Sequence, residues 1–430
     1  MRSTSRTRLR LAAAVLCAAA TLAGPRGDPA ALAGAPGRRI QPAQAARTPN
    51  DPFYPEQASF GAAGTGQVLV TSRKPARETV TIAPDVVLDL PQAWAITTGS
   101  RDVRVAVLDD GFFYRHEDIA PNVWQNPGET GTDDQGRDRR TNGVDDDRNG
   151  FADDVVGWDF VFEDPDPDHY VYDGKDRTRI QPYWHSISAL GIIGAKGNNG
   201  IGIAGINWTV SLMLLKIGAQ GVGTGEVDRD RPDRAARALR YAADNGARVV
   251  NWSGFVSDTS PDALARLRAA IAYARDRGVL VVVGAGNDFK NLDDDAQCAY
   301  PQCFDEPNLL RVAQLARDGA LYRYEVQGHQ RGSNYGARRV ELAATGEHFT
   351  TDLWHAISIY ETSNGTSSAG PVVAGVAALA LSARPDLTAA DLKRVLMESG
   401  TPAPSLAGRT ASGRAVNALR AVQTALALPR

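Results

Sequence analysis

Several things are scarce or missing in this sequence, and each absence narrows what it can be. Charge imbalance is missing: 47 basic and 50 acidic residues leave a formal net charge of −3. There is no electrostatic reason to expect nucleic acid or an anionic membrane as a partner. Internal repeats are missing. Beyond the amino terminus no stretch is long and apolar enough to cross about 30 Å of hydrocarbon, so no stable membrane association is expected. Cysteine is scarce, with three residues in 430. Cys17 follows Leu16, where a lipidated signal would carry a small residue, so lipid attachment is not expected. Disorder throughout is excluded, because 43% hydrophobic residues can build a sizeable core in one large domain or two ordinary ones.

The chain begins "MRSTSRTRLRLAAAVLCAAATLAG". An Arg-rich start, an apolar run from Leu11 and then small residues have the layout of a secretory signal, with Ala23 or Ala33 as cleavage points. Residues 1–33 are therefore expected to be a signal peptide and the mature protein to be extracellular or periplasmic. Residues 34–89 read as a linker and an N-terminal extension, in which "QVLVTSRKPARETVTIA" predicts one or two short strands. In an exported chain, Cys298 and Cys303 of "CAYPQC" suit a small loop disulfide, with two free thiols as the alternative.

From residue 90 the texture changes. "VRVAVL", "LMLLKI", "ARVVNW" and "VLVVVGAG" are near-continuous apolar runs, as expected of parallel strands buried on both faces. Between them "RPDRAARALRYAADNG" and "SPDALARLRAAIAYARDRG" have helical period with Gly stops. The alternation predicts an α/β fold: a doubly wound, mostly parallel central sheet flanked by helices. In such sheets ligands bind beyond the carboxyl ends of the strands. That rule selects Asp109 and Asp110, Ser253, and Asn287. A further signal is Ser367, beside Gly365 at the start of the small-residue helix "GTSSAGPVVAGVAAL", which reads as a buried core helix. His185 heads another apolar run, "HSISALGIIGA".

A serine hydroxyl needs a base to act as a nucleophile at neutral pH, and an imidazole oriented by a buried carboxylate can serve. A developing oxyanion needs donors, here a backbone N–H at a helix start and a side-chain amide. Asp109, His185, Ser367 and Asn287 supply these parts, in one of the known triad orders. Each alone has a plain structural reading as a turn, cap or packing residue.

The blocks "VAVLDDGF", "HSISALGIIGA", "GAGND" and "GTSSAGPVVAGVAAL" resemble those of the subtilisin-like serine peptidases, and the resemblance spans about residues 50 to 426. It implies a peptidase domain over 90–428, with Asp109 orienting the imidazole, His185 as base then acid, Ser367 as nucleophile and Asn287 in the oxyanion hole. It also implies an extended polypeptide substrate pairing near Gly221, Ser253 and Gly254, and a monomer. "NDPFYPEQ" resembles the start of many mature domains, which implies that a full prodomain is absent.

The histidine block departs from the usual H-G-T-H-V-A-G at Ser186, Ile187 and Ser188, and Ser368 replaces the usual Met. Ser186 adds a Cβ beside the base, where Gly is usual. Two readings follow: a serine endopeptidase working through an acyl-enzyme, or a catalytically silent relative acting as a binding or regulatory module.

Residues 125–168 form an acidic insertion. "VDDDRNGFADD" sets Asp145, Asp147 and Asn149 at alternate positions before Gly150, then Asp153 and Asp154. Alternating oxygen ligands followed by Gly let a short loop wrap a hard cation, and the missing terminal Glu excludes an EF-hand. One structural Ca²⁺ is expected, with Asp145, Asp147, Asn149 and Asp154 as ligands and no part in catalysis.

Overall fold

The computed structural model describes residues 45–429 except 74–75, 172–178, 181–184, 221–226, 229–230, 257 and 355–356. The predicted signal, residues 1–33, and Gly221 lie outside the described residues.

The expected parallel strands form a nine-stranded sheet. Two strands of the N-terminal extension come first, β1 (Gly64–Leu69) and β2 (Arg77–Ile82). The sheet is built from β3 (Gly99–Asp109), β4 (Gly157–Asp159), β5 (Thr209–Lys216), β6 (Val249–Trp252), β7 (Leu280–Gly284), β8 (Leu309–Leu315) and β9 (Leu342–Thr345). After a hairpin of β10 (His348–Trp354) and β11 (Ile357–Ser363), β12 (Thr401–Pro402) and β13 (Arg414–Ala415) complete it. The order is β12-β13-β9-β8-β7-β6-β3-β5-β4, parallel except for β12 on β13.

Two helical layers explain why the strands are apolar on both faces. Alternate residues of one strand separate cleanly. Val105 and Val107 pack with α1 (His185–Gly194), α4 (Thr366–Ala383), α5 (Ala389–Ser399) and α6 (Ala418–Ala427). Ala106 and Leu108 pack with α2 (Pro232–Asp244) and α3 (Pro261–Asp276). Against the expectation that no stretch beyond the amino terminus has the length and apolarity to cross a membrane, helix α4 has both, because its small residues continue the apolar run; 83% of it is buried inside the fold, as expected of a core helix.

The chain leaves β3 for β5 on one side and returns to β6 on the other. This switch in direction marks the carboxyl ends of β3, β6 and β7 as the place where a sheet of this kind binds ligands. Asp109 ends β3, and Ser253 and Asn287 follow β6 and β7. The N-terminal extension forms the two expected strands, paired antiparallel from Gly64↔Ile82 to Leu69↔Arg77. Its continuation lies along β11: Ser72 N–H donates to the Tyr360 carbonyl (2.8 Å) and Thr362 N–H to that of Val70 (2.9 Å).

Candidate functional site

The carboxylate of Asp109 is buried at the end of β3 and faces His185, the first described residue of α1. His185 Nδ1 lies 2.8 Å from Asp109 Oδ1 and 3.0 Å from Oδ2, while Asp110 N–H donates to Oδ1 at 2.9 Å. Burial pushes the Asp109 carboxyl up, but the charge and hydrogen bond of His185 outweigh it and hold the group below the ordinary carboxylate range. An ionised Asp109 keeps the proton on Nδ1, which leaves Nε2 as the basic nitrogen.

The extra side chain of Ser186 has a place. Its hydroxyl donates to the Gly111 carbonyl, tying the first turn of α1 to the loop that leaves β3. That loop runs tightly over Asp168 and His169: at Gly111 (φ 112°) a Cβ would lie 2.8 Å from the Asp168 carbonyl oxygen, so only glycine fits. Ser186 therefore reinforces the loop that holds Asp109.

Ser367 lies in the first turn of α4, where backbone N–H groups have no acceptor one turn back. Asn287 Oδ1 accepts from Thr366 N–H and from Thr366 Oγ1–H, both at 3.0 Å, and this fixes the amide plane. A Cβ built on Gly365 (φ 123°) would lie 3.7 Å from both Asn287 Nδ2 and Ser367 N. The Asn287 amide, with Oδ1 at 3.8 Å from the same position, and the Ser367 nitrogen thus lie side by side at the start of α4. Pro371 has no N–H, so it leaves the Ser367 carbonyl without its helical partner. The Ser253 hydroxyl supplies one at 3.1 Å.

The loop beyond β7 supports the same strand ends. Cys298 and Cys303 are joined in the expected disulfide, with Cα atoms 5.7 Å apart. Inside the small ring, buried Gln302 donates from Nε2 to the carbonyls of Gly254 (3.0 Å) and Gly284 (2.9 Å). It braces the ends of β6 and β7 against each other.

The Subtilase family model matches residues 100–417 of this chain. The chain belongs to the subtilase family. It is 30% identical over 338 residues to subtilisin-like protease 1 of Plasmodium vivax, covering 75% of this chain and 47% of that protein. It is also 30% identical over 303 residues to the halolysin-like extracellular serine protease Nep of Natrialba magadii, covering 70% of this chain and 44% of that one. The chain thus spans about half the length of these relatives. A solved protease structure from Pseudoalteromonas arctica superposes with a TM-score of 0.59 at 27% identity, covering 88% of this chain and 100% of that one.

The acidic insertion of this subtilase gathers three carboxylates, Glu129, Asp147 and Asp154, with oxygens within 4.8 Å of one another. Burial, foremost, pushes the Asp154 carboxyl up to about 6 despite hydrogen bonds from Tyr241, Asn149 and Asn126. A buried carboxylate set beside two others is the donor chemistry a hard divalent cation neutralises, and this group could hold one.

Of the four predicted ligands, Asp147 and Asp154 belong to this cluster. Asn149 touches it through Nδ2, 2.9 Å from Asp154 Oδ2. Asp145 closes the turn instead, accepting from Asn149 N–H (3.0 Å) and Gly150 N–H (2.8 Å). Glu129 was not among the sequence candidates. The only sign of it was the "NPGE" stretch ahead of the Asp-rich loop, because its partners are backbone N–H groups of Asp146, Asp147 and Asp153. Gln302 and Thr366 were missed as well.

Proposed function

We propose that this subtilase is an exported serine endopeptidase that hydrolyses peptide bonds of extended polypeptides through an acyl-enzyme. Ser367 Oγ attacks the scissile carbonyl carbon and its proton passes to His185 Nε2. Asp109 stabilises the imidazolium, and the tetrahedral oxyanion accepts from Asn287 Nδ2–H and Ser367 N–H. Collapse expels the amine with the proton from His185, and water then hydrolyses the ester by the same steps. The observation that carries this reading is the buried Asp109 carboxylate hydrogen-bonded to His185, together with Ser367 in the first turn of a helix capped by Asn287 and anchored by Ser253.

The substrate would lie along the segment following β6, at Ser253 and Gly254. Export is supported by the signal-like start and by the likeness to Nep, whose name describes it as extracellular. A calcium ion held by Glu129, Asp147 and Asp154, with Asn149 beside them, would neutralise the buried carboxylates and stiffen the insertion.

The alternative, a silent binding module, rested on the rewritten histidine block. The contact of Ser186 with Gly111 weighs against it, since the His185–Asp109 hydrogen bond forms with that side chain in place. The test is labelling by a fluorophosphonate probe and cleavage of a mixed peptide library near pH 8 with calcium. Wild type is expected to label and cleave, and Ser367→Ala to do neither. A folded wild type inert in both assays would overturn the peptidase reading in favour of the silent one.

A further inference from the structure

Three serine hydroxyls join the helix that carries His185 to the helix that carries Ser367. The Ser188 hydroxyl donates to the His185 carbonyl at 2.9 Å. The Ser363 hydroxyl, at the end of β11, donates to Ser188 Oγ at 3.4 Å and lies 2.6 Å from Ser368 Oγ. A hydroxyl has one proton to give. With the Ser188 proton on the His185 carbonyl and the Ser363 proton on Ser188, the short contact must be made by Ser368 donating to Ser363. The protons then run in one direction, from the residue after the nucleophile to the carbonyl of the base, and none is left over.

The hairpin that supplies the middle hydroxyl is also fastened to α1. Thr350 Oγ1–H donates to the Ser188 carbonyl at 3.1 Å and Thr351 Oγ1–H to the Ile187 carbonyl at 2.7 Å. Ser188 and Ser368 are buried, so water cannot easily replace a missing link. Both stand where the sequence departs from the family pattern.

We infer that Ser188, Ser363 and Ser368 are positioning residues that set the separation between His185 and Ser367. Each of the two reactive groups stands in the first turn of its own helix, and the chain ties those two turns together through the end of β11. Displacements of about 1 Å at a reacting pair can cost a hundredfold in rate, so a link that removes a fraction of that play acts on turnover. Ser188 and Ser368 are buried and act through the helices rather than on substrate, so the effect falls on kcat and leaves KM unchanged. This inference rests on the peptidase reading.

The experiment compares Ser188→Ala, Ser368→Ala, the double variant and Ser363→Thr in the full-length secreted protein. Steady-state hydrolysis, melting temperature and the low-field proton NMR signal of the His185 Nδ1–H are measured for each. Each alanine variant is expected to lower kcat about tenfold with KM within twofold, and to shift or broaden the imidazole signal. The double variant is expected to be no worse than either single one in kcat, because one break already opens the chain, while its losses in melting temperature add. Ser363→Thr, which keeps the hydroxyl, is expected to behave as wild type. A kcat within twofold of wild type in all variants, or losses that multiply in the double variant, would overturn the inference. Should wild type cleave nothing, the peptidase reading fails alone: the imidazole signal still decides, supporting the link if it moves in the alanine variants and overturning it if it does not.

Discussion

The proposal gives the Asn287 amide two jobs, and two substitutions pull them apart. Its Oδ1 caps α4 through the Thr366 backbone and hydroxyl, and its Nδ2 is the proposed donor to the oxyanion. Asn287→Ala removes both. Loss of one oxyanion donor lowers kcat by about 10² to 10³, and loss of the cap costs about 1 kcal/mol. For a chain of this size unfolding entropy makes that a shift of only about 1 °C in melting temperature.

Asn287→Asp keeps the shape and the capping oxygen but replaces the donor with a second carboxylate oxygen. The negative charge then sits at a helix amino terminus, where it stabilises by about 0.3 to 1 kcal/mol. The same charge opposes the developing oxyanion. The aspartate variant is therefore expected to melt at or slightly above wild type while losing at least as much kcat as the alanine variant. Hydrolysis of a chromogenic peptide and calorimetry measure the two effects. An aspartate variant within tenfold of wild-type kcat would refute the role of Nδ2. One that melts several degrees lower would refute the cap.

Two further outcomes concern charge. Without calcium, the Asp154 carboxyl is pushed up to about 6, above an unfolded value near 3.9. Its contribution is full below about pH 4 and is lost as pH rises through about 6, an effect of about 3 kcal/mol. Calorimetry with chelator should therefore show lower melting at pH 7 than at pH 5, and millimolar calcium should raise it most at pH 7; no response to exhaustive chelation would count against a bound ion. Glu341 is the opposite case. Burial pushes its carboxyl up, but Arg311 (2.6 Å) and Lys393 (2.7 Å) outweigh it and hold the group below the usual range. Its stabilisation is present above the unfolded value and lost as pH falls through the lowered one. Glu341→Gln leaves two cations facing an amide, an expected loss of about 3 to 5 kcal/mol at pH 7 that shrinks in acid, measurable by urea unfolding.

The residues of the proposed triad stand out in the sequence because each follows an apolar strand or heads a small-residue helix, and local pattern marks those places. The disulfide could be foreseen from compartment and a five-residue spacing. The supports could not be read. Ser363 meets Ser188 across 175 positions, and Gln302 reaches Gly254 across 48. Neither residue type signals a role until the strand order puts it there. The acidic loop was legible as a loop, but the grouping of its carboxylates was not. Alternation made Asp145 look equivalent to Asp147, whereas backbone N–H groups claim both oxygens of the first. Glu129 entered from outside the pattern, its carboxylate carried in by a separate turn.

A strand with an open edge can recruit other chains, and β11 would otherwise present one close to the exposed Trp354 and Ile357. Residues 70 to 72 occupy that edge from within the same molecule, with Arg73 stacked over the Trp354 ring at 4.0 Å and paired to Glu361 at 2.7 Å. The short N-terminal hairpin thus works as an internal guard against aggregation. A truncation that spared every catalytic group but removed this segment would leave an enzyme prone to stick to its own copies.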